Sequence, residues 1–205
     1  MWEGFVNAID EFINEHDDVT ASPVVDRFHL AKNYREDFDD LRKKEIKRLK
    51  KELPPETYDT DCKGMLWLLR KNHSALDSDE CQRLRRLFSH SPDLHLAYTF
   101  REELTAIFNQ HLSMEMAQLR LDAWVSKVER STLDTFDGFI KTLRNHWSSI
   151  LNYFDQRITS GFVEGLNNKI KTITRRCYGI RKDSTLFQRI WLDLHAKDLF
   201  SPSTT

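Results

Sequence analysis

Residues 158–181 read ITSGFVEGLNNKIKTITRRCYGIR, and their apolar residues recur with the spacing of a helix. Intervals of three, four and three residues predict a helix over about residues 162–175 with one buried side. The opposite side then carries one acid, Glu164, among amides and cations. The expected buried residues are Val163, Leu166, Ile170 and Ile173, and those on the side of Glu164 are Asn167, Asn168, Lys171 and Arg175.

Positive charge is concentrated around this helix. Residues 157–182 hold seven lysines and arginines against a single acid, Glu164, which gives a local balance of +6. This density suits contacts to a phosphate backbone, and Tyr178 can stack on a base or lie along a sugar. The basic residues are Arg157, Lys169, Lys171, Arg175, Arg176, Arg181 and Lys182. The residues predicted to bind nucleic acid are Asn167, Asn168, Lys169, Lys171, Arg175, Arg176, Tyr178 and Arg181.

Glu164 itself has two interpretations. Inside a basic surface, a carboxylate can hold a divalent metal over a backbone phosphate, where the metal polarises the phosphoryl group and activates water. Equally, an acid in the first turn of a helix is favoured by the helix dipole, and basic residues suit the other end. The residues alone leave both interpretations open.

The chain as a whole is predicted to be mainly α. Only six glycines and five prolines interrupt it, and most apolar residues recur at three and four positions. A charged helix that begins near Leu30 is expected to stop before Pro54 and Pro55. The predicted helices cover about residues 2–16, 30–53, 63–71, 77–89, 93–110, 114–129, 134–154, 162–175 and 185–196.

Residues 22–26 are the one good strand candidate, because Val24 and Val25 form a short β-branched run after Pro23. A lone strand leaves its backbone donors and acceptors unpaired. Either this prediction is wrong, or the strand belongs to a sheet that is encoded upstream of Met1.

Asp26 and His29 lie where this strand is expected to give way to a helix. An acid and an imidazole three residues apart can meet on one side of a turn and serve a metal, a phosphate or a proton transfer. In the alternative interpretation, Asp26 caps the helix and His29 is packed beneath it.

Composition narrows the classes of protein. The hydrophobic content of 40% predicts a folded chain, and a net charge of −1 excludes a globally basic nucleic-acid binder. Three cysteines without CxxC spacing suggest neither a disulfide framework nor a zinc site. No run of about 18 apolar residues and no signal-peptide pattern is present, so we expect a soluble cytoplasmic protein without a membrane partner.

Two motifs together resemble the DDE transposases of bacterial insertion sequences. The first is D-R-F-H-x-x-K, read from Asp26 to Lys32, and the second is G-x-x-E-G-x-N-N-K-x-K, read from Gly161 to Lys171 and followed by Arg176, Tyr178, Gly179 and Arg181. The resemblance implies an RNase H-like (α/β) catalytic domain that cleaves and transfers DNA strands with two divalent metal ions, Mg²⁺ or Mn²⁺. It implies that Glu164 is a catalytic metal ligand, the third acid of the triad, and that Asp26 and His29 form an accessory element near the active site.

The resemblance also implies an organisation for the chain. Residues 1–32 would be a remnant of the RNase H-like core with one strand near 22–26, residues 33–155 a large all-helical insertion, residues 156–197 the C-terminal core helices and residues 198–205 a tail. The first two catalytic acids would lie upstream of Met1, so we expect a truncated, C-terminal part of a transposase that is inactive alone.

The implied partners are transposon-end and target DNA, further copies of the chain and a full-length transposase. The implied location is the bacterial cytoplasm, at the nucleoid when the chain is bound to DNA. The alternative is a non-catalytic helical protein that binds DNA or a transposase and modulates transposition.

Overall fold

The fold is mainly α, and no β-strand occurs among the residues that the structure describes. In a computed structural model of the chain, these are residues 11, 14, 15, 24, 25, 27–157, 161–177, 179, 180 and 182–200, without the side chains of 156, 162–164 and 196–200. Most of the predicted helix at 2–16 and the tail at 201–205 lie outside them, as do Asp26, Tyr178 and Arg181.

The chain divides into two compact units, residues 1–158 and residues 159–205. The first unit holds eight α-helices with described bounds, with short 3₁₀ turns at His73–Ala75 and Asp134–Phe136, and Glu11, Asn14 and Glu15 before them also have helical backbone. Its helices are α1 Arg27–Glu52, α2 Pro55–Asp61, α3 Leu66–Arg70, α4 Ser78–His90, α5 Pro92–Asn109, α6 Met114–Glu129, α7 Asp137–Asn145 and α8 Trp147–Gln156. The second unit contains α9 Gly161–Arg176 and α10 Asp183–Phe200.

The longest helix, α1, buries one stripe of its surface against α2, α5 and α7. The buried positions recur every three or four residues, which is the spacing of one helix face. The helix ends before Pro54 and Pro55, and Pro55 then occupies the first turn of α2, where a missing backbone donor costs nothing. The buried residues of α1 are Leu30, Tyr34, Phe38, Leu41, Glu45 and Leu49.

An aromatic cluster fills the centre of the first unit. The ring of Tyr34 stacks on Phe136 at a centroid distance of 4.6 Å and meets the edge of Phe139 at 5.3 Å. Trp124 donates its indole N–H to the carbonyl oxygen of Phe100 at 3.0 Å. Aromatic side chains bury large apolar areas, and their polar atoms need partners when buried, so this cluster both fills the core and fixes α6 on α5.

Helix starts follow the capping residues that the sequence provides. Asp77 accepts a hydrogen bond from the backbone N–H of Glu80, and the Glu80 side chain accepts one from Asp77 N–H, which completes a capping box at α4. Ser91 and Ser113 cap α5 and α6 by accepting one backbone N–H each through their hydroxyl oxygens, from Leu94 and Met116. These caps fix the residues at which the middle helices begin, and so the ends of the short connections between them.

The predicted strand is wrong at Val24 and Val25, whose backbone is not in a strand. Val25 is buried and donates its N–H to the carbonyl oxygen of Ser149 at 2.9 Å, so a carbonyl group in the first turn of α8 accepts this hydrogen bond in place of a partner strand. The other residues of 22–26 lie outside the described part of the chain. A β-branched pair is therefore packed here as an irregular segment.

The single helix predicted over 134–154 is interrupted. Residue His146 ends α7 with φ of −112° and ψ of 23°, and α8 begins at Trp147. The apolar spacing continues across this point without a change, and no glycine or proline marks it, so the local pattern does not predict the break. The short helix α2 was also not predicted.

The other predicted helices of the middle and C-terminal regions are confirmed within a few residues at their ends. None of the helices in the described residues is long and apolar enough to cross a membrane. The predicted boundary between residues 32 and 33 falls inside the continuous helix α1, and the assignment of functions to the parts of the chain stays a prediction.

Candidate nucleic-acid interface

Helix α9 has the two-sided character that its sequence predicts. Ile173 is buried, Leu166 and Ile170 are half-buried, and Asn168 on the far side is exposed. The side chain of Val163 lies outside the described part. The buried side of α9 packs on α10 within the same unit, which leaves the polar side accessible.

The polar side of α9 carries the predicted acid in its first turn. Glu164 has helical backbone, and its side chain is among those not described. Steps of four, three and four residues lead from Glu164 to Asn168, Lys171 and Arg175, so helix geometry places these four positions on one face. The residues of this face whose side chains are described are all exposed: Asn167, Asn168, Lys171 and Arg175.

The remaining predicted contacts on α9 flank this face. Lys169 and Arg176 are exposed, and they lie seven residues apart on the same side of the helix. The Lys169 ammonium donates to the carbonyl oxygen of Asp193 on α10 at 3.2 Å. Within the described residues, Lys171, Arg175 and Arg176 have no carboxylate within ion-pair distance. Their charge is therefore available to a ligand.

The turn after α9 contains the last two predicted contacts, Tyr178 and Arg181, which lie outside the described residues. Between them, Gly179 has φ of 86°, a left-handed conformation that glycine adopts without steric cost. Ile180 donates its N–H to the carbonyl oxygen of Cys177 at 3.2 Å and closes the turn. The roles of Tyr178 and Arg181 stay predictions.

Arg157 is one of the seven basic residues counted around α9 in the sequence, and in the structure its guanidinium binds backbone carbonyl groups. It lies in the first unit, where its guanidinium donates to the carbonyl oxygens of Phe108 at 2.6 Å and Gln110 at 2.7 Å. It also holds φ of 53°, which is rare for a residue other than glycine. Arg157 thus anchors the end of α8 to the end of α5.

Asp26 and His29 belong to the first unit, whereas Glu164 belongs to the second. Helix α1 begins at Arg27, and the prediction that Asp26 caps it falls on a residue outside the described part of the chain. His29 is half-buried in the first turn of α1, edge-on to the Phe28 ring at 5.8 Å. The expectation that both lie at a strand end loses its basis, because Val24 and Val25 are not in a strand.

The described side chains do not fit a catalytic metal. No three His, Cys, Asp or Glu side chains among them lie close enough together to hold a metal ion. A two-metal site needs several carboxylates to fix both ions about 4 Å apart, and the motif supplies one acid, Glu164. The metal assignment therefore stays a prediction that rests on the motif.

Sequence reasoning missed a cluster of arginines in the first unit. Arg27 and Arg35 of α1, Arg70 of α3 and Arg101 of α5 line one cleft of about 120 Å³. They are spread over 75 residues of sequence, so no local charge count brings them together. The only part of this cluster that the sequence indicates is the spacing of eight residues between Arg27 and Arg35 on α1.

The chain spans less than half the length of the curated relatives that it matches. It is 30% identical over 172 residues to the transposase for insertion sequence element IS1001 of Bordetella parapertussis, covering 83% of this chain and 41% of the relative. It is 27% identical over 132 residues to the transposase for IS1557 of Mycobacterium tuberculosis, covering 64% of this chain and 29% of the relative. No solved structure matches the chain.

The protein-family model of the ISL3 group of DDE transposases, which is described as a transposase, matches this chain. The match covers residues 1–190 of the 205. The match includes both motifs, the whole first unit and α9 with its exposed polar face. The chain belongs to the ISL3 group of DDE transposases.

Proposed function

We propose that this chain supplies the C-terminal, DNA-contacting part of the catalytic machinery of an insertion-sequence transposase. The observation that carries the proposal is the exposed polar face of α9. The face lies in the region that the transposase family model matches. It presents Lys171 and Arg175, which have no ion-pair partners among the described residues. The buried residue Ile173 lies on the opposite side of the helix. Free cations on an exposed helix suit the sequence-independent contacts that position a protein on DNA.

In the parent reaction, Glu164 would act as one carboxylate ligand, and α9 would hold the DNA backbone beside it. Divalent metal, Mg²⁺ or Mn²⁺, supplies the activation of water and of the phosphoryl group in this family. The other acids that the motif comparison implies have no counterpart in this sequence, since Asp10 lies in a predicted helix and Asp26 matches an accessory element. We therefore expect no strand cleavage by this chain on its own.

Two measurements test the proposal. In the first, the chain is titrated with duplex DNA that carries the ends of the insertion sequence, with the R175A/R176A double variant as comparison. Both arginines are exposed near the C-terminal end of α9, so their loss is expected to weaken binding without unfolding the chain. Equal affinity of the two proteins would contradict the DNA-contacting role of α9.

The second measurement concerns chemistry. A polypeptide that is extended with the codons upstream of Met1 is tested for Mg²⁺-dependent cleavage of the same DNA, with and without E164Q. Cleavage that disappears in E164Q supports the metal-ligand role, because glutamine keeps the shape of the side chain and removes its negative charge. Cleavage that survives E164Q would exclude that role.

A second candidate function is modulation of transposition by binding to a transposase. It is favoured by an exposed apolar surface on α10, where the side chains of Phe187, Trp191 and Leu192 are exposed. Exposed large apolar side chains at this density are typical of interaction surfaces. The chain is added in increasing amounts to a strand-transfer assay with the intact transposase. A dose-dependent decrease that is absent with W191A favours this function, and unchanged activity argues against it.

A further inference from the structure

The first unit contains a cleft that is unusually rich in guanidinium groups. Its volume is about 120 Å³, and it lies between α1, α3 and α5. Apolar side chains such as Leu30 and Phe38 form part of its lining, and no carboxylate occurs among its described lining residues. The charged and polar lining residues are Arg27, Arg35, Arg70, Asn72, Arg101 and Thr105.

Two of the four arginines are fixed by the fold. Arg101 donates to the backbone carbonyl oxygens of Leu69 and Lys71 and pairs with Glu102 at 2.6 Å, while its guanidinium carbon lies 4.4 Å from the centre of the Tyr98 ring. These contacts hold Arg101 at the end of α3. Its Nε is buried and has no hydrogen-bond partner within the described part of the chain.

Arg70 is fixed in a similar manner by the carboxylate of Asp39, at 2.6 Å. Asp39 also accepts from Arg42 at 3.2 Å, so one carboxylate is shared between two guanidinium groups. The hydrogen bonds from Arg70 and Arg42 lower the pKa of Asp39 against the effect of its burial. The Arg70–Asp39 pair therefore keeps Arg70 in place beside the cleft without cancelling the positive charge around it.

The other two arginines are free. Arg27 and Arg35 are exposed on α1, and neither has an ion-pair partner among the described residues. They are eight residues apart, which is about 12 Å along a helix. One strand of DNA carries a charge about every 3.4 Å along its axis, so the two can contact different phosphates of the same backbone.

The size of the cleft restricts the ligand. Sites for small organic ligands are usually about 300–1,000 Å³, whereas this cleft has about 120 Å³. It suits a single oxyanion that is part of a longer molecule, with the rest of that molecule outside. We propose that this cleft binds the phosphodiester backbone of DNA, with the fixed arginines at the inner end and Arg27 and Arg35 at the outer end.

This assignment rests on the proposed function, since it takes DNA as the ligand, and it adds a contact surface in the first unit to the one on α9. A backbone contact carries no sequence information, so a short duplex of arbitrary sequence is a sufficient probe. The test compares the wild-type chain with R27A/R35A. Both side chains are exposed and have no ion-pair partners among the described residues. The thermal unfolding midpoint of R27A/R35A is therefore expected to equal that of the wild-type chain.

The readout is the dependence of DNA affinity on salt concentration. Each phosphate contact contributes about 0.9 to the slope of log affinity against log salt, so loss of two contacts is expected to reduce the slope by about 1.8. Between 50 and 200 mM salt, wild-type affinity should then fall about twelvefold more than that of R27A/R35A. The matched control is K44A/K47A, which removes two exposed charges from the same helix outside the cleft and is expected to keep the wild-type slope.

The outcomes separate this inference from the proposed function. A slope in R27A/R35A equal to wild type, or an equal decrease in K44A/K47A, overturns the cleft as a DNA site and leaves α9 unaffected. Weaker binding in R175A/R176A alone supports α9 and not the cleft. Absence of DNA binding by the wild-type chain contradicts both. A further outcome is that inorganic phosphate raises the thermal midpoint of the wild-type chain but not that of R27A/R35A, while the salt slope of DNA binding is the same for both. That result shows a site for free phosphate and overturns the inference.

Discussion

Replacement of Glu45 by glutamine tests how the middle of α1 is joined to the start of α5. Glu45 is 5% exposed and accepts hydrogen bonds from Arg48 Nη2 at 2.7 Å and from the Ser91 hydroxyl at 2.6 Å. Ser91 in turn caps α5 by accepting from the backbone N–H of Leu94 at 3.3 Å. One buried carboxylate thus stabilises the cap and holds an arginine.

The expected cost of E45Q is about 2 kcal/mol. Net hydrogen bonds to charged groups contribute roughly 1.5–3 kcal/mol each. The bond from Ser91 can persist to the amide oxygen of glutamine, but the ionic contact to Arg48 is lost. Arg48 is 38% exposed and also contacts Glu52, so solvent screening keeps the loss towards the lower end of the range.

Urea denaturation measures this cost as a decrease in the free energy of unfolding. The matched control is E52Q, which removes the more exposed carboxylate from the same arginine and is expected to cost at most about 0.5 kcal/mol. A cost for E45Q that is no larger than that of E52Q would refute the view that burial makes the Glu45 contact important.

The same network gives a pH dependence with a defined sign. Hydrogen bonds from Arg48 are the largest cause that lowers the pKa of Glu45 below its ordinary value of 4.5, and the Ser91 hydroxyl adds to it. Because the pKa is lower in the folded chain than in the unfolded chain, the stabilisation is fully present above about pH 4.5 and is lost as the pH falls through the folded value. The difference between wild type and E45Q should therefore shrink in acid. A difference that is the same at pH 7 and at pH 3 would contradict this cause.

Three further changes test the packing of the first unit. Y34F removes the hydroxyl that donates to the carbonyl oxygen of Ala97 at 2.7 Å and should lower the free energy of unfolding by about 1 kcal/mol in urea denaturation; a change below about 0.3 kcal/mol would contradict this. R157A removes two bonds to backbone carbonyls and should lower the thermal midpoint, with a cost of about 2 kcal/mol; an unchanged midpoint would show that α8 needs no such anchor. D77A removes the capping box of α4 and should cost about 1 kcal/mol by urea denaturation, whereas no loss would show that the helix start is fixed by packing.

The proposed cleft begins within the first family motif and extends beyond it: Arg27 belongs to the motif, whereas Arg35, Arg70 and Arg101 lie outside it. The two family motifs are far apart in the sequence, at Asp26–Lys32 and at Gly161–Lys171. The first unit is a helical body with its own core, whose residues run from Val25 to Phe154. A contact to DNA from Arg27 and Arg35 would give this helical body a role in DNA binding.

Local patterns in the sequence determined most helices and the orientation of α9. The intervals that place Ile173 inside and Asn168, Lys171 and Arg175 outside depend on helix geometry alone, which is a property of neighbouring residues. For the same reason the proline pair at 54 and 55 sets the end of α1, and the motif containing Glu164 indicates the family by its residues alone.

The tertiary structure decided what depends on distant residues. The strand predicted at Val24 and Val25 requires a partner strand, and the described part of the chain offers Val25 only the carbonyl of Ser149. Arg157 is one of seven basic residues in a single stretch of sequence, yet carbonyl groups at the C-terminal end of α5 bind its guanidinium. Arg27, Arg35, Arg70 and Arg101 come together only because α1, α3 and α5 pack against a common core. Charge and spacing in a sequence describe near neighbours, whereas a cleft or a committed side chain is defined by residues that the folded backbone brings together from far apart.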